Sequence, residues 1–244
     1  MNTDSYNISN EVEQLKKISE LKTAWISLLS HDFKEAFSSL LWTLEAYDSG
    51  AIGKDDFFKL LPRIKQDAKK NLQTINDTND WVKTQLDGYK PNVSKIFVVD
   101  LYIKLRKEFE DKLNNKRLDF KFSGDETIIC YNDEFLICFI LKKFLDNAIK
   151  YSNTNKTILF EVERRDEMLT LKIVDEGIGM SKETKDNLFS LDSAVFQGTD
   201  SEIGAGLSLK IVKYFVSLLQ GKIDIKSTEN KGSTFQVSLP CKEN

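Results

Sequence analysis

The sequence predicts a multi-domain protein, an all-α helical hairpin followed by an α/β two-layer sandwich. In the first ninety residues, apolar side chains recur at three- and four-residue intervals, which is the spacing of one helix face. After the break Gly88-Tyr89-Lys90-Pro91-Asn92, short β-rich runs alternate with helical patterns. The 244 residues suit two domains of ordinary size. We therefore place the domains at residues 1–90 and 91–244.

The hairpin consists of two long predicted helices. The first covers residues 9–48 and spans on the order of 60 Å. The turn-forming residues 48–54 end it, and the second helix runs to about Asp87. Pro62 lies in the first two turns of the second helix and predicts either a kink or a later start.

Two amphipathic helices joined by a short loop contain only half of a core. A homodimer whose two hairpins form a four-helix bundle would complete it. A plain coiled-coil dimerisation arm is the alternative.

The second domain is predicted to place helices on one face of a mixed, largely antiparallel sheet. Strands are predicted near residues 96–98, 118–122, 128–130, 157–164, 169–174, 222–227 and 233–239. Helices are predicted near residues 100–113, 133–151 and 204–219.

The composition excludes several classes of partner. A net charge of -3 offers no basic field for nucleic acid, and no apolar run reaches membrane-spanning length. The three cysteines lack metal-binding spacing, so we interpret them as reduced packing residues. We expect no nucleic acid, no membrane contact within this chain, and a cytoplasmic location, either alone or as part of a larger sensor.

His31 is the single histidine of the sequence and lies on the first predicted helix, beside Asp32. Its position between apolar rows predicts partial exposure. Taken alone, the local pattern favours an ordinary solvent-facing histidine.

The helix predicted at residues 133–151 places Lys143, Asn147, Lys150 and Tyr151 on one face. An amide beside a lysine can ligate hydrated Mg²⁺ and pair with phosphate oxygens. A solvated helix face is the simpler interpretation of these residues alone.

A predicted strand runs directly into Asp175-Glu176-Gly177-Ile178-Gly179. The glycines allow a tight turn and a close approach to a flat ligand. The carboxylate of Asp175 could accept a hydrogen bond from an exocyclic amine such as that of adenine. The alternative is a plain Asp-x-Gly turn.

A polar segment over residues 181–202 leads into Gly204-Ala205-Gly206-Leu207, which opens a predicted helix. Such a helix start offers backbone N–H groups to phosphates, and the long polar segment before it is typical of a lid. No strand directly precedes Gly204, which argues against a dinucleotide-binding βαβ unit.

In this order and spacing, the motifs resemble those of the sensor histidine kinases over nearly the whole chain. The matching segments are 30–34 (H box), 146–152 (N box), 175–179 (G1 box), 188–189 (F box), 204–209 (G2 box) and the closing strands from 221 to 240.

The resemblance implies a dimerisation and histidine-phosphotransfer hairpin followed by an ATP-binding domain of the gyrase and histidine kinase type. His31 would be the phosphoacceptor, oriented by Asp32, and Asn147 would hold Mg²⁺. Asp175, with the turn through Gly177 and Gly179, would bind adenine. The phosphates would be bound by Lys150 and by the backbone of Gly204, Ala205, Gly206 and Leu207, with Tyr151 near the nucleotide. The partner would be the receiver domain of a separate response regulator, which takes the phosphoryl group on an aspartate.

Four residues depart from the family pattern. Glu35 and Ala36 replace the residues usual after the histidine, Lys143 replaces an asparagine, and Ser208 replaces a glycine. These departures leave two alternatives to an active kinase. One is a catalytically weak dimeric module that binds nucleotide or a receiver, and the other is a gyrase-class ATPase without a phosphoacceptor.

Overall fold

The computed structural model describes residues 37–85, 89–189 and 208–241, together with residues 12, 16, 19, 23, 26, 27, 30 and 34. The chain divides into two compact units, Met1–Leu86 and Asp87–Asn244. Among the described helices, none combines the length and the apolar character needed to cross a membrane.

The first unit contains two helices. Helix α1 is helical at every described residue from 12 to 48, and α2 covers Lys54–Lys83. Gly50 adopts φ 74° in the turn between them, and the Tyr47 and Phe57 rings pack with centroids 4.8 Å apart. The turn therefore reverses the chain as the sequence predicts.

Helix α2 passes through Pro62 without interruption, so the predicted later start is wrong. The first bond of the helix is already made from Phe57 N–H to Gly53 O at 3.0 Å. Pro62 is exposed and removes one donor from a 30-residue helix. The remaining hydrogen bonds of the helix outweigh that local loss.

The second unit contains two sheets. Strands β1 (Val93–Phe97) and β3 (Ile129–Asp133) form an antiparallel pair. The main sheet has the order β2-β4-β5-β7-β6, in which only β2 and β4 run parallel. Its strands are β2 (Asp119–Ser123), β4 (Thr157–Arg165), β5 (Met168–Asp175), β6 (Lys222–Thr228) and β7 (Gly232–Pro240). The predicted mixed, largely antiparallel sheet is confirmed.

The helices of this unit are α3 (Val98–Glu108), α4 (Glu110–Asn115), α5 (Glu134–Tyr151), α6 (Lys182–Asn187) and α7 (Ser208–Leu218). The helix predicted at 100–113 is divided at Phe109, whose φ of -100° and ψ of 8° leave the helical region. Helix α6 was not predicted, because six residues without a buried side chain show no helical periodicity.

One face of the main sheet and the helix α5 build the core. Alternate residues of β4, β5 and β7 are buried, as period-2 strands require, and α5 contributes a nearly continuous apolar surface. Phe139 of α5 packs against Phe215 of α7, with ring centroids 4.8 Å apart. The three buried strands and two helices therefore form the two layers of the predicted sandwich.

Asp133 fixes the start of α5. Its Oδ1 accepts the Leu136 N–H at 3.0 Å, which is an N-cap bond. Its Oδ2 accepts the Asn92 N–H at 2.7 Å and the Tyr89 hydroxyl at 3.2 Å. Burial and the Asp133 charge raise the pKa of Tyr89 to about 12, so this hydroxyl stays a donor at neutral pH.

The end of β5, the end of α5 and the start of α7 lie at one end of the main sheet. Helix α5 starts beside the end of β7, where Asn132 Nδ2 donates to Pro240 O at 3.0 Å. It finishes at the opposite end, where the Ile178 N–H that follows β5 donates to Tyr151 O at 3.0 Å. Helix α7 returns from that end to the start of β6. The candidate site lies where β5 and α5 finish.

Candidate functional site

Asp175 is the last residue of β5 and is 4% exposed. Its Oδ1 accepts two backbone hydrogen bonds, from Gly177 N–H at 2.8 Å and from Ser233 N–H at 3.2 Å. No donor among the described residues reaches Oδ2. The carboxyl group therefore has one oxygen held by the protein and one available to a ligand.

Burial raises the pKa of Asp175 to about 6, and the two amide donors oppose this rise. A ligand N–H that donates to Oδ2 would act in the same direction as the two amide donors and favour the ionised form. The geometry suits recognition of an amine, because a carboxylate in a buried position accepts strongly and offers no donor.

The turn after β5 is fastened to two neighbouring segments. A Cβ on Gly177 would lie 2.3 Å from Tyr151 O, and one on Gly179 would lie 2.0 Å from Thr228 O. Gly179 also adopts φ 63°. Ile178 lies between them, and its carbonyl accepts the Asn230 N–H at 2.7 Å. The close approach that these glycines permit in the structure is to protein backbone.

Asn147, Lys150 and Tyr151 lie in the last two turns of α5. The side chain of Asn147 is half-buried, and no described residue forms a hydrogen bond with its amide. Lys150 is buried, with its Nζ 4.9 Å from the centroid of the Tyr151 ring. An amide oxygen and an ammonium group thus lie within one helical turn of each other.

A divalent cation at Asn147 would need further oxygen ligands. In the described part of the chain, no group of three histidine, cysteine, aspartate or glutamate side chains is placed to hold a metal. Mg²⁺ accepts one protein oxygen when phosphate and water supply the rest of its octahedron. Asn147 fits that requirement and would hold Mg²⁺ only together with a phosphate ligand.

Lys143 lies one turn before Asn147 on α5 and is also buried. Its Nζ lies 5.1 Å from the centroid of the Phe139 ring, so the ammonium points back along the helix. This direction is the usual one for a helical side chain. The sequence places Lys143 on the same helix face as Asn147. The structure shows that the Lys143 ammonium is directed away from the Asn147 side chain.

Six predicted site residues therefore lie at one end of the second unit, namely Asn147, Lys150, Tyr151, Asp175, Gly177 and Gly179. Six others lie outside the described residues, namely His31, Asp32, Gly204, Ala205, Gly206 and Leu207. Of the departures from the family pattern, Lys143 and Ser208 are described, and Ser208 opens α7. Glu35 and Ala36 are not described.

Three residues of the β6–β7 hairpin were missed by the sequence reasoning. Ser233 donates its N–H to Asp175, and Ser227 Oγ accepts the Met180 N–H at 2.8 Å. Gly232 adopts φ 91°, and a Cβ there would lie 1.9 Å from Asp175 O. The signal available was the Lys231-Gly232-Ser233 turn between two alternating strands.

Residues 132–243 match the protein family described as histidine kinase-, DNA gyrase B-, and HSP90-like ATPase. Sensor histidine kinase YclK of Bacillus subtilis is 24% identical over 95% of this chain and 48% of its own length. Sensor histidine kinase WalK of the same organism is 26% identical over 96% of this chain and 39% of its own length. Histidine protein kinase SaeS of Staphylococcus aureus is 27% identical over 95% of this chain and 67% of its own length. The chain thus spans about half the length of the first two relatives or less.

Two solved structures show the same fold at low sequence identity. Histidine kinase AdeS of Acinetobacter baumannii has a TM-score of 0.67 and 22% identity, and the match covers 87% of this chain and 98% of the solved AdeS chain. Histidine kinase ThkA, solved in complex with response regulator protein TrrA, has a TM-score of 0.69 and 16% identity. That match covers 98% of this chain and 67% of the ThkA chain.

Proposed function

We propose that the chain is an ATP-dependent autophosphorylating histidine kinase of a two-component system. The proposal is supported by the match of residues 132–243 to the histidine kinase-, DNA gyrase B-, and HSP90-like ATPase family and by the similarity of the chain to sensor histidine kinases. It would transfer the γ-phosphoryl group of ATP to His31 and then to an aspartate of a response-regulator receiver domain. We place this activity in the cytoplasm, where ATP is available.

The observation that carries the proposal is the buried carboxyl group of Asp175. Oδ1 is occupied by two backbone donors, while Oδ2 has no donor among the described residues. An adenine amino group would supply the missing donor. Ile178, which is partly exposed on the adjoining turn, offers an apolar surface beside it.

The phosphate end of the nucleotide would lie along the last turns of α5 and the start of α7. Asn147 would hold Mg²⁺ through its amide oxygen, and the bound metal would offset charge on the phosphates. Lys150 would pair with a phosphate oxygen, with Tyr151 packed near the nucleotide. The backbone N–H groups of Gly204, Ala205, Gly206 and Leu207 are proposed to face the phosphates.

His31 and Asp32 would carry out the chemical step, because residues 30–34 match the H box of the sensor histidine kinases. A neutral ring nitrogen of His31 would form a bond to the γ-phosphorus as the bond from that phosphorus to the β–γ bridging oxygen breaks, which leaves ADP. Asp32 would accept a hydrogen bond from the N–H of the other ring nitrogen, which orients the ring, and would take that proton as the phosphohistidine forms.

A homodimer is proposed for the first unit. Several large apolar side chains of the hairpin are exposed in a single chain, which is the pattern expected of an uncovered four-helix-bundle seam. Among the described residues of the hairpin, those with more than half of their surface exposed are Ile26, Phe37, Leu41, Trp42, Phe58 and Leu72.

The proposal is tested with γ-labelled ATP and Mg²⁺. Wild-type protein should acquire acid-labile label, and His31→Ala should acquire none because it lacks the acceptor. Circular dichroism and nucleotide binding serve as controls that the variant is folded. Label that persists in His31→Ala would contradict the proposal.

Lys143 favours a second candidate, a catalytically weak dimeric module that binds nucleotide or a receiver. Lys143 stands where the family pattern has an asparagine, and its ammonium lies beside the Phe139 ring, so this position offers no amide oxygen to a divalent cation. This candidate predicts thermal stabilisation by nucleotide without any label on the wild-type protein. Labelling of the wild type excludes it.

A further inference from the structure

Lys116 follows α4 and is 4% exposed, although it belongs to a polar stretch of sequence. Its Nζ donates to Ile149 O and to Lys150 O, both at 3.0 Å. These carbonyls belong to the last turn of α5, where the C=O groups of a helix have no N–H donor within the helix itself. A cation at this position also interacts favourably with the negative end of the helix.

The turn held by Lys116 is the one that carries the candidate phosphate-binding residues. Lys150 provides one of the two carbonyls, and Tyr151 follows it directly. Tyr151 O in turn accepts the Ile178 N–H at 3.0 Å. Gly177, the residue before Ile178, donates to Asp175 Oδ1. These three hydrogen bonds, linked by the peptide bonds between Lys150 and Tyr151 and between Gly177 and Ile178, therefore connect Lys116 to both halves of the candidate site.

The backbone of Lys116 is tied to the segment after α5 as well. Lys116 O accepts the Asn155 N–H at 3.1 Å, and Asn155 adopts φ 60°. The side chain and the main chain of one residue thus hold the end of α5 and the loop that leaves it. This double attachment restricts how far the last turn can shift.

Lys112 provides a natural comparison, because it lies on α4 one turn earlier and also contacts α5. Its Nζ pairs with Asp146, but the two side chains are 56% and 39% exposed. Exposed ion pairs contribute little because water and salt screen them. The ammonium of Lys116 is shielded from water, so its two charge-assisted bonds are stronger than the surface pair.

We propose that Lys116 is a positioning residue of the nucleotide site. Its ammonium holds the last turn of α5, and through that turn it sets the place of the Lys150 side chain and of the turn that follows Asp175. The nucleotide readout of this inference rests on the proposed kinase function.

The first test measures hydrogen exchange of the Ile178 amide in the full chain without nucleotide. Lys116→Met keeps much of the apolar stem and removes the donors, so exchange at Ile178 should become at least tenfold faster. Lys116→Arg should remain within threefold of wild type, and Lys112→Met should not differ. If Lys116→Met does not fold, Lys116→Gln replaces it with the same expected result. Exchange within twofold of wild type in the charge-removing variant overturns the inference.

The second test measures KM for ATP and kcat at a temperature where every variant is folded. Lys116→Met should raise KM about tenfold and change kcat less than threefold, and Lys116→Arg should restore KM. A purely structural role would lower the amount of active protein and leave KM unchanged, and that outcome overturns the inference. If wild-type protein binds no ATP, the proposed function fails, and the exchange at Ile178 alone decides the role of Lys116.

Discussion

Asp175 has opposite consequences for folding and for ligand binding. Its pKa is raised from 3.8 to about 6, chiefly because burial disfavours the charged form. A raised pKa in the folded state means that the proton favours folding. This contribution to stability is fully present below pH 3.8 and is lost as the pH rises through about 6. At neutral pH the native state therefore holds a buried carboxylate at a cost.

Asp175→Asn should make the protein more stable at pH 7.5, because it removes the buried charge and keeps an oxygen for the Gly177 and Ser233 amides. The gain in the free energy of unfolding should be up to about 3 kcal/mol and should shrink between pH 6 and pH 4. Scanning calorimetry of the full chain at several pH values measures it. Tryptophan fluorescence is unsuitable, since all three tryptophans lie within residues 1–86.

The same substitution should abolish ATP binding, since the new NH₂ group takes the place of Oδ2 and faces the adenine amine donor to donor. Calorimetric titration with ATP measures the loss, and sedimentation checks that the dimer is retained. Equal affinity in the two proteins would show that adenine binds elsewhere. A variant less stable than wild type at pH 7.5 would contradict the electrostatic account of Asp175.

At the scale of elements, the turn between β5 and α6 depends on backbone that only glycine can supply. Gly179 combines φ 63° with a Thr228 carbonyl that would lie 2.0 Å from a Cβ. The Thr228 carbonyl belongs to the backbone and the position of a Cβ is fixed by its own backbone, so neither atom can rotate away. The turn and the β6–β7 hairpin must separate if a side chain is added.

Gly179→Ala should therefore destabilise the second unit by about 2 kcal/mol or more and weaken ATP binding at least tenfold. Gly53→Ala is the matched control, because its φ is -79° and nothing lies within 4 Å of an added Cβ. Because Gly53 is the N-cap of α2, that control should cost about 0.5–1 kcal/mol in the first unit and leave ATP binding unchanged. Calorimetry and ATP titration measure both effects, and equal behaviour of the two variants would refute the steric argument.

At the scale of the whole molecule, the proposed homodimer would form through the apolar side chains that the hairpin leaves exposed. Trp42 is 62% exposed on α1, whereas Thr43 and Ala46 of the same helix are buried. Burial of a tryptophan side chain contributes a large favourable free energy, which an exposed tryptophan does not provide. A second copy of the hairpin is the proposed cover.

Trp42→Asp should weaken the dimer at least a hundredfold, because a twofold interface carries the change twice and aromatic residues dominate such contacts. Sedimentation velocity over a concentration series measures the dissociation constant. Ile103→Asp is the control, since Ile103 is an exposed apolar residue of α3 in the second unit. Dimerisation that survives Trp42→Asp, or that fails equally in the control, would contradict the proposed interface.

The agreement between sequence and structure is best where the signal is local. The strands predicted at 157–164 and 169–174 are found at Thr157–Arg165 and Met168–Asp175, and the helix predicted at 133–151 is found at Glu134–Tyr151. Alternation and helical periodicity are properties of neighbouring residues, so they can be read without a fold. The sequence alone therefore determined most elements of the second unit, though not α6 or the division between α3 and α4, and it placed Asn147 and Asp175 near the ends of α5 and β5.

Only the tertiary structure decided which distant residues complete the site. Ser233 lies opposite Asp175 in the pairing of β5 with β7, and this register is set by the packing of the whole sheet. Lys116 reaches α5 across more than thirty residues, from a polar run that carries no pattern of its own. The glycines of the turn meet carbonyl groups of α5 and β6, where the sequence predicted a ligand. These contacts follow from the three-dimensional arrangement of elements, which local periodicity does not contain.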